Sequence, residues 1–455
     1  MRSSLSHLSG LLFGALLAVH GAALASGQDN LLIIVADDVG VDMIGAYGEG
    51  PDPPHTPTID QLANEGVLFR NVWANPTCSP TRAEMHTGRY GHHTGVGLVV
   101  SNLGWSLQQD ETTFAEVLAR YPELGYTTGL IGKWHLSNWN NGYLDGPLLQ
   151  GFDHFTGARE NVRNDLGYRF DKWLRVENGV ESQCTTYATV QQVDDALAFI
   201  ASAPEPWVCM LNFNAPHEPF HRPPANMLQR ILPDGNPRLN PPPFYKAAVE
   251  TIDLEVGRLI SSLGPAMGST NIVFTADNGT PQLASEAPFL PSHAKLTPYE
   301  GGLNVPLIVV GPIVAQPGRE VTALVGATDM YSSTLEMCGV TDASVLEPGV
   351  NHDSYSFVPY LKIPDQAPIR DHVYAEMFSP NGPAGLLANN DVRAIRNERY
   401  KLIRRGTTGG PYQWEFYDLV ADPFETDNIV RKGTHALAAL PHLHSLLNKL
   451  ALLTN

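Results

Sequence analysis

Leu31-Leu32-Ile33-Ile34-Val35-Ala36 is an unbroken apolar run that stops at two adjacent acids, Asp37 and Asp38. A strand with one face in water needs polar residues at alternate positions. This run has none, so both of its faces must be covered. Residues 128–131, 207–213, 271–275 and 305–310 are similar β-rich runs. Helical patterns lie between them. Thr113-Phe114-Ala115-Glu116 fits a capping box that opens a helix running to about Arg120. Ala248, Ile252, Val256, Leu259, Ile260 and Leu263 form one helical stripe. Strands alternating with helices predict an α/β fold, a large mostly parallel sheet flanked by helices.

The ends of the chain read differently. Arg2, the apolar stretch 8–19 and Ala23-Leu24-Ala25 make residues 1–25 a signal peptide cut after Ala25. We expect an exported protein, periplasmic or secreted, with no membrane span once the signal is removed. Residues 348–371, rich in Pro, Asp and Ser, read as a connection. Beyond it, short strand candidates at 373–377, 392–396, 400–403 and 413–419 predict a small antiparallel sheet closed by a helix near 435–450. The expected division is a catalytic domain at 26–360 and a C-terminal subdomain at 361–455. A formal charge of −18 argues against nucleic acid as a partner. Four Cys in a chain of this length are no disulfide framework. Cys209 and Cys338 sit in apolar stretches and read as buried, whereas Cys78 is in a polar, Pro-flanked setting.

Polar groups follow the strands. Asp37-Asp38 ends the first, Lys133-Trp134-His135 the second, His217 the third and Asp277-Asn278-Gly279 the fourth. Ligands of open α/β sheets bind beyond the carboxyl ends of the strands. Taken singly, an Asp-Asp pair is as easily a turn, and a lone His is more often structural. Together they collect on one edge. Three carboxylates and an amide oxygen suit a hard cation, Ca2+ or Mg2+, rather than Zn2+. Lys133 and Lys295 beside such a cation would hold an anionic group. No zinc His-Glu-x-x-His, phosphate-loop or Gly-x-Ser-x-Gly motif is present.

The strongest motif is Cys78-Ser79-Pro80-Thr81-Arg82, followed by Thr87-Gly88-Arg89. A lone Cys is a poor durable nucleophile in an oxidising compartment. Here the chain resembles the formylglycine-dependent, arylsulfatase-like sulfatases of the alkaline-phosphatase superfamily, whose signature is Cys-x-Pro-x-Arg and then Thr-Gly-Arg. The resemblance continues through residues 34–38 and 56–63, Gly132-Lys133-Trp134-His135-Leu136, Asp277-Asn278-Gly279, Glu300-Gly301-Gly302, Tyr417-Asp418-Leu419 and Asp422-Pro423. It implies that a formylglycine-generating enzyme oxidises Cys78 to formylglycine. It implies that Asp37, Asp38, Asp277 and Asn278, with the residue at 78, bind one calcium ion. Arg82 would steady the formylglycine hydroxyl. Lys133 and Lys295 would grip the sulfate, and His217 would lie by the leaving oxygen. His135 would take the proton from the second hydroxyl of the hydrate.

The implied reaction is hydrolysis of a sulfate monoester to an alcohol or phenol plus sulfate, through the hydrated aldehyde as nucleophile. An aryl, sugar or steroid sulfate is the implied substrate. Residues 160–184 and 216–243, with Tyr168, Phe170, Trp173 and Phe220, are the expected pocket walls. A phosphonate monoester or phosphodiester hydrolase of the same superfamily is the alternative enzyme. A protein that binds sulfated glycans without turnover is the alternative of another class. Thr81, His86, Ser137 and Asn304 depart from the commonest family pattern.

Overall fold

The computed structural model describes residues 28–162, 167–341, 350, 352–383, 388–432 and 439–454. The signal-peptide reading lies outside these residues. No helix among them is long and apolar enough to cross a membrane.

Ten strands form the main sheet: β1 (Asn30–Ala36), β2 (Val67–Trp73), β3 (Thr127–Lys133), β4 (His154–Ala158), β5 (Trp173–Glu177), β6 (Val180–Cys184), β7 (Trp207–Asn212), β8 (Thr270–Ala276), β9 (Leu307–Val310) and β10 (Arg319–Gly326). Their spatial order is β10-β2-β9-β8-β1-β7-β3-β4-β5-β6. The centre, β8-β1-β7-β3, is parallel throughout, and Ala36 pairs with Ala276 at its carboxyl end. Every residue of β1 is buried, as its unbroken apolar sequence requires. The run at 305–310 does enter the sheet, but β9 is antiparallel to both of its neighbours.

Two helical groups flank the sheet. Pro57–Glu65 and Ala188–Ser202 pack on the 23-residue helix Pro241–Leu263. Cys78–Thr87 packs with Phe114–Ala119 and Asp329–Met337. The apolar stripe of Pro241–Leu263 faces inward, with Ile252, Val256 and Leu259 buried. The expected capping box is formed. Thr113 N–H donates to Glu116 Oε2 at 2.8 Å, and Glu116 N–H donates to Thr113 Oγ1 at 3.2 Å.

The second sheet is an antiparallel meander of β11 (Val373–Ser379), β12 (Asn390–Arg396), β13 (Tyr400–Gly406) and β14 (Gln413–Asp418). Helix Leu440–Thr454 covers it, burying Leu446 and Leu450 against Tyr400, Leu402 and Phe416. The start expected near residue 435 lies outside the described residues. All four cysteines are free; Cys78, Cys209 and Cys338 are buried and Cys184 is partly exposed.

Candidate active site

The four central strands deliver their polar ends to one place. Asp38, at φ 72°, and His135, at φ 62°, both adopt the left-handed backbone region. That region is uncommon for side chains of this size and turns each residue sharply out of its strand. Asp38 N–H donates to Asp277 Oδ1 at 3.0 Å, and Asn278 Nδ2 donates to Asp38 Oδ1 at 2.8 Å, so the two acidic turns are stitched together. Gly279 is needed beside them. A Cβ there would lie 2.0 Å from the Gly301 carbonyl oxygen, and Gly279 N–H donates to the Gly302 carbonyl. The Asp-Asn-Gly and Glu-Gly-Gly motifs are thus two halves of one contact.

Cys78 is the first residue of helix Cys78–Thr87, and every residue of that helix is buried. The helix N-terminus presents partial positive charge to position 78. Gly88 ends the helix at φ 68°, where a Cβ would meet the Tyr331 ring at 2.8 Å. Cys78 Sγ lies 3.6 Å from His135 Nδ1. Arg82 reaches from the next turn of the helix, with Nε and Nη2 donating to Asp277 Oδ2 at 2.9 and 2.7 Å. Its Nη1 donates to the Lys133 carbonyl. Lys133 Nζ is 2.6 Å from Asp37 Oδ2, both side chains wholly buried. Lys295 Nζ pairs with Asp38 Oδ1. His217 Nε2 is 3.8 Å from Asp38 Oδ2.

All the site residues expected from the sequence therefore converge: Asp37, Asp38, Cys78, Arg82, Lys133, His135, His217, Asp277, Asn278 and Lys295. Two groups they leave open bear on a cation. Asp37 Oδ1 and Asn278 Oδ1 are buried without a hydrogen-bond partner, an arrangement that costs free energy unless something binds there. Asp37, Asp38 and His217 bring ligand atoms within 4.8 Å of one another. The residues fit a divalent cation held chiefly by oxygen.

The electrostatics divide the carboxylates. Burial and the neighbouring Asp277 push Asp37 well up despite Lys133. Burial opposes ionisation of Asp38 too, but Lys295, His217 and Lys133 outweigh it and hold Asp38 low. Asp277 is likewise held down, by Arg82 and Lys133 against burial. Burial raises the Cys78 thiol, so the unmodified side chain is a poor thiolate. Burial, Lys133 and Arg82 keep His135 neutral. Burial, with Lys295 and Lys133, lowers His217 to about 3 against Asp38. For Lys295, burial is outweighed by Asp38, Cys78 and Asp37, which keep its ammonium protonated.

A model of the sulfatase family matches residues 29–340. The chain belongs to the sulfatase family. A model of the C-terminal region of N-sulphoglucosamine sulphohydrolase matches residues 293–452. N-acetylgalactosamine-6-sulfatase of Canis lupus familiaris is 28% identical over 362 residues, 71% of this chain and 65% of that protein. The chain thus spans just under two thirds of that relative. An ulvan-active sulfatase of Formosa agariphila is 28% identical over 429 residues, 89% of this chain and 78% of that protein. Among solved structures, Ps i-CgsB in complex with k-i-k-neocarrahexaose superposes with TM-score 0.74 at 23% identity, covering 94% of both chains. A structure in complex with its substrate D-glucosamine-2-N,6-O-disulfate gives TM-score 0.74 at 21% identity, covering 94% of this chain and 98% of that one. These two likenesses concern the fold.

The departures from the family pattern have local reasons in this sulfatase. Thr81 Oγ1 accepts from Asn75 N–H at 2.9 Å and donates to the Thr77 carbonyl, fixing the start of the Cys78 helix. His86 packs among Phe114, Trp134 and Phe152, and burial lowers it to about 3, so it serves as a neutral aromatic. Ser137 donates to the Tyr143 carbonyl at 2.6 Å. Asn304 accepts from Val72 N–H and donates to the Arg70 carbonyl, pinning β2. His93 pairs with Asp353 and His92 with Glu376.

Of the expected wall aromatics, Tyr168 and Trp173 line a cavity near the site, whereas Phe170 and Phe220 are core. Phe170 and Trp173 are 1% exposed and Phe220 is 7% exposed. Phe170 stacks on His221, and Phe220 meets the Tyr245 ring edge-on. The aromatics that flank the site and that sequence reasoning missed are Trp139 and Tyr143, directly after β3. Their position beyond a strand's carboxyl end was the available signal.

Proposed function

We propose that the protein is an exported hydrolase of sulfate monoesters, releasing an alcohol or phenol and sulfate. The observation that carries this reading is Cys78 at the buried N-terminus of its helix, 3.6 Å from a neutral His135 and coupled through Arg82 to the Asp277 turn. Residues 26–360 form the catalytic unit in this reading, and residues 361–455 the C-terminal subdomain.

Asp37, Asp38, Asp277 and Asn278 would hold a calcium ion, which when bound would supply Lewis-acid stabilisation of negative charge. Oxidation of Cys78 to formylglycine by the maturation enzyme supplies an aldehyde whose hydrate is the nucleophile, with a second hydroxyl for sulfate release. Arg82 steadies the oxygen at position 78 as it gains negative charge. Lys133 and Lys295 orient the sulfate. His135, neutral and with Nδ1 aimed at position 78, takes a proton there.

The proton for the departing alcohol comes from Lys295. His217 Nδ1 lies 2.8 Å from the Glu218 carbonyl, which only accepts, so the ring proton sits on Nδ1. Nε2 then accepts from Asn161 Nδ2 at 3.2 Å. A His217 lowered to about 3 has no proton to give from Nε2, whereas Lys295 retains its own. His217 accordingly acts through Nε2 as an acceptor that fixes the Asn161 amide beside the ester.

The test has two readouts. Mass spectrometry of the tryptic peptide 71–82 from natively expressed protein should show loss of sulfur and reactivity with aldehyde reagents. The same protein should release sulfate from an aryl sulfate faster than it cleaves a phosphonate monoester, and Cys78→Ala should abolish release. An intact thiol throughout active protein would sink the formylglycine reading.

A further inference from the structure

A cavity of about 150 Å³ opens beside the proposed catalytic residues, room for a single ring. Its wall is continuous with them. Asn161 lines the cavity and donates to His217 Nε2 at 3.2 Å. Arg159 also lines it, and its backbone carbonyl accepts from His135 N–H at 2.8 Å. The cavity wall is therefore joined by hydrogen bonds to two of the residues proposed to handle the ester.

The lining has an unusual composition. Tyr143 has two ring contacts: Trp139 stacks on it at 4.1 Å and 17°, and the Arg159 guanidinium lies 4.9 Å from its ring centre. Arg159 is in turn fixed by Asn102 Oδ1 at 2.8 Å and Glu160 at 2.8 Å. This stack holds Trp139 rigidly while leaving it 59% exposed. A flat, immobilised indole at the rim of a one-ring cavity offers a face at low entropic cost. The polar groups include one cation, Arg159, against two carboxylates, Glu160 and Glu181, together with the amide of Asn161. Carboxylates accept from hydroxyls and repel a second anion. Asn161 Oδ1 is buried without a hydrogen-bond partner, and a body that carries no hydroxyl would leave it so.

The geometry points to a subsite for an uncharged, hydroxyl-bearing pyranose as the alcohol half of the ester. Trp139 is its stacking platform, and Glu160, Asn161 and Glu181 take its hydroxyls. This assignment rests on the sulfate-ester reading above and narrows it. It separates mono-O-sulfated neutral sugars from aryl sulfates and from sugars carrying a uronate or a further sulfate beside the reacting one.

The experiment compares mono-O-sulfated methyl hexopyranosides, 4-nitrophenyl sulfate and a sulfated disaccharide containing a uronate. With formylglycine-bearing protein, Trp139→Ala should lower the ratio of kcat/KM for the best hexopyranoside sulfate over the aryl sulfate by about tenfold. In the turnover-incompetent Cys78→Ala background, Trp139→Ala should raise the calorimetric Kd for the same sugar sulfate about tenfold. Glu181→Gln should improve binding of the uronate-bearing disaccharide. An unchanged ratio and an unchanged Kd would overturn the subsite while leaving sulfate-ester hydrolysis intact. Tighter binding of the uronate-bearing sugar than of any neutral one would overturn the uncharged-ring assignment. Trp139-dependent sugar binding without turnover of any sulfate ester by aldehyde-bearing protein would overturn the hydrolase reading and leave the subsite standing.

Discussion

Two buried clusters of charge in this molecule are built from the same parts. One sits at the carboxyl edge of β8-β1-β7-β3 and pairs Asp37, Asp38 and Asp277 with Lys133, Lys295 and Arg82. The other sits beneath the four-stranded sheet. There Glu300 accepts from Trp73 Nε1, Arg396 Nη1 and Lys401 Nζ, each at 3.1 Å, and Lys401 also pairs with Glu425 at 2.7 Å. Both clusters balance acid against base. They differ in closure. The second wraps Lys401 between two carboxylates and over the Trp73 ring at 4.7 Å, and Glu300 N–H donates to Glu425 Oε2. The first keeps buried oxygens on Asp37 and Asn278 without hydrogen-bond partners, whereas Glu425 Oε1 in the second, though it makes no hydrogen bond, has Lys401 Nζ 2.7 Å away. A closed buried cluster spends its electrostatics on joining two parts of the chain. An open one keeps some for a ligand.

The largest effect should come from the open cluster. Lys133→Ala should cut kcat for sulfate release by about 10²–10³-fold, the usual loss when one donor to a developing anion is removed. With a divalent cation present, its melting temperature should stay near that of the parent, because the cation takes over the neutralisation of Asp37. A collapse of the fold in Lys133→Ala, measured by circular dichroism, would make the two clusters alike and break the comparison.

The closed cluster should respond in the opposite way. Lys401→Met leaves Glu300 and Glu425 short of a buried cation, which should cost about 3–5 kcal/mol in denaturant unfolding. The protein that remains folded should keep its kcat, since Lys401 touches none of the proposed reacting groups. A fall in kcat that exceeds the loss of folded protein would mean that the subdomain positions Lys295 through the 295–300 segment.

Cation removal separates the clusters from a third direction. Chelation should lower stability by about 3–4 kcal/mol if the ion is supplied at 100–1,000 times its Kd. Lys401→Met should lose the same increment on chelation, and Asp37→Ala should lose little. Differential scanning calorimetry with and without chelator reads this directly. An equal drop in Asp37→Ala would put the cation somewhere other than the open cluster.

The open cluster was legible in the sequence and the closed one was not, for a physical reason. Strand ends in a parallel sheet have a fixed relation in space, so Asp37, Lys133, His217 and Asp277 could be placed together from strand order alone. The apolar runs of β1, β7 and β8 announced themselves because both faces are buried. Glu300 instead meets Lys401 and Glu425 from more than 100 positions away along the chain, with no shared periodicity. Strands β2 and β10 carry polar residues such as Arg70 and Glu320, which pair across the strands at a half-exposed surface and break the apolar pattern. The hairpin β5-β6 was equally hidden, since β6 is mostly exposed and polar. The pocket aromatics went astray for a related reason. A sequence shows that Phe170 lies near the site, but only packing shows that it is buried against His221 while Trp139 stays exposed.

The smallest predicted effect concerns how ionised the closed cluster is. Burial and the nearby Glu300 push the Glu425 carboxyl up from the ordinary 4.5 to about 7 against Lys401. A carboxyl raised on folding binds its proton more tightly in the native state than in the unfolded chain. Its contribution is fully present below about pH 4.5 and is lost as pH rises through about 7. Glu425→Gln cannot lose that proton. Relative to the parent, the variant should therefore gain on the order of 2–3 kcal/mol between pH 5 and pH 8. Denaturant unfolding at the two pH values measures it, and the comparison of differences removes any constant cost of the substitution. Parallel behaviour at both pH values would mean that Lys401 keeps Glu425 ionised throughout. The closed cluster would then carry full charge, and the orphaned oxygens of Asp37 and Asn278 alone would distinguish the open one.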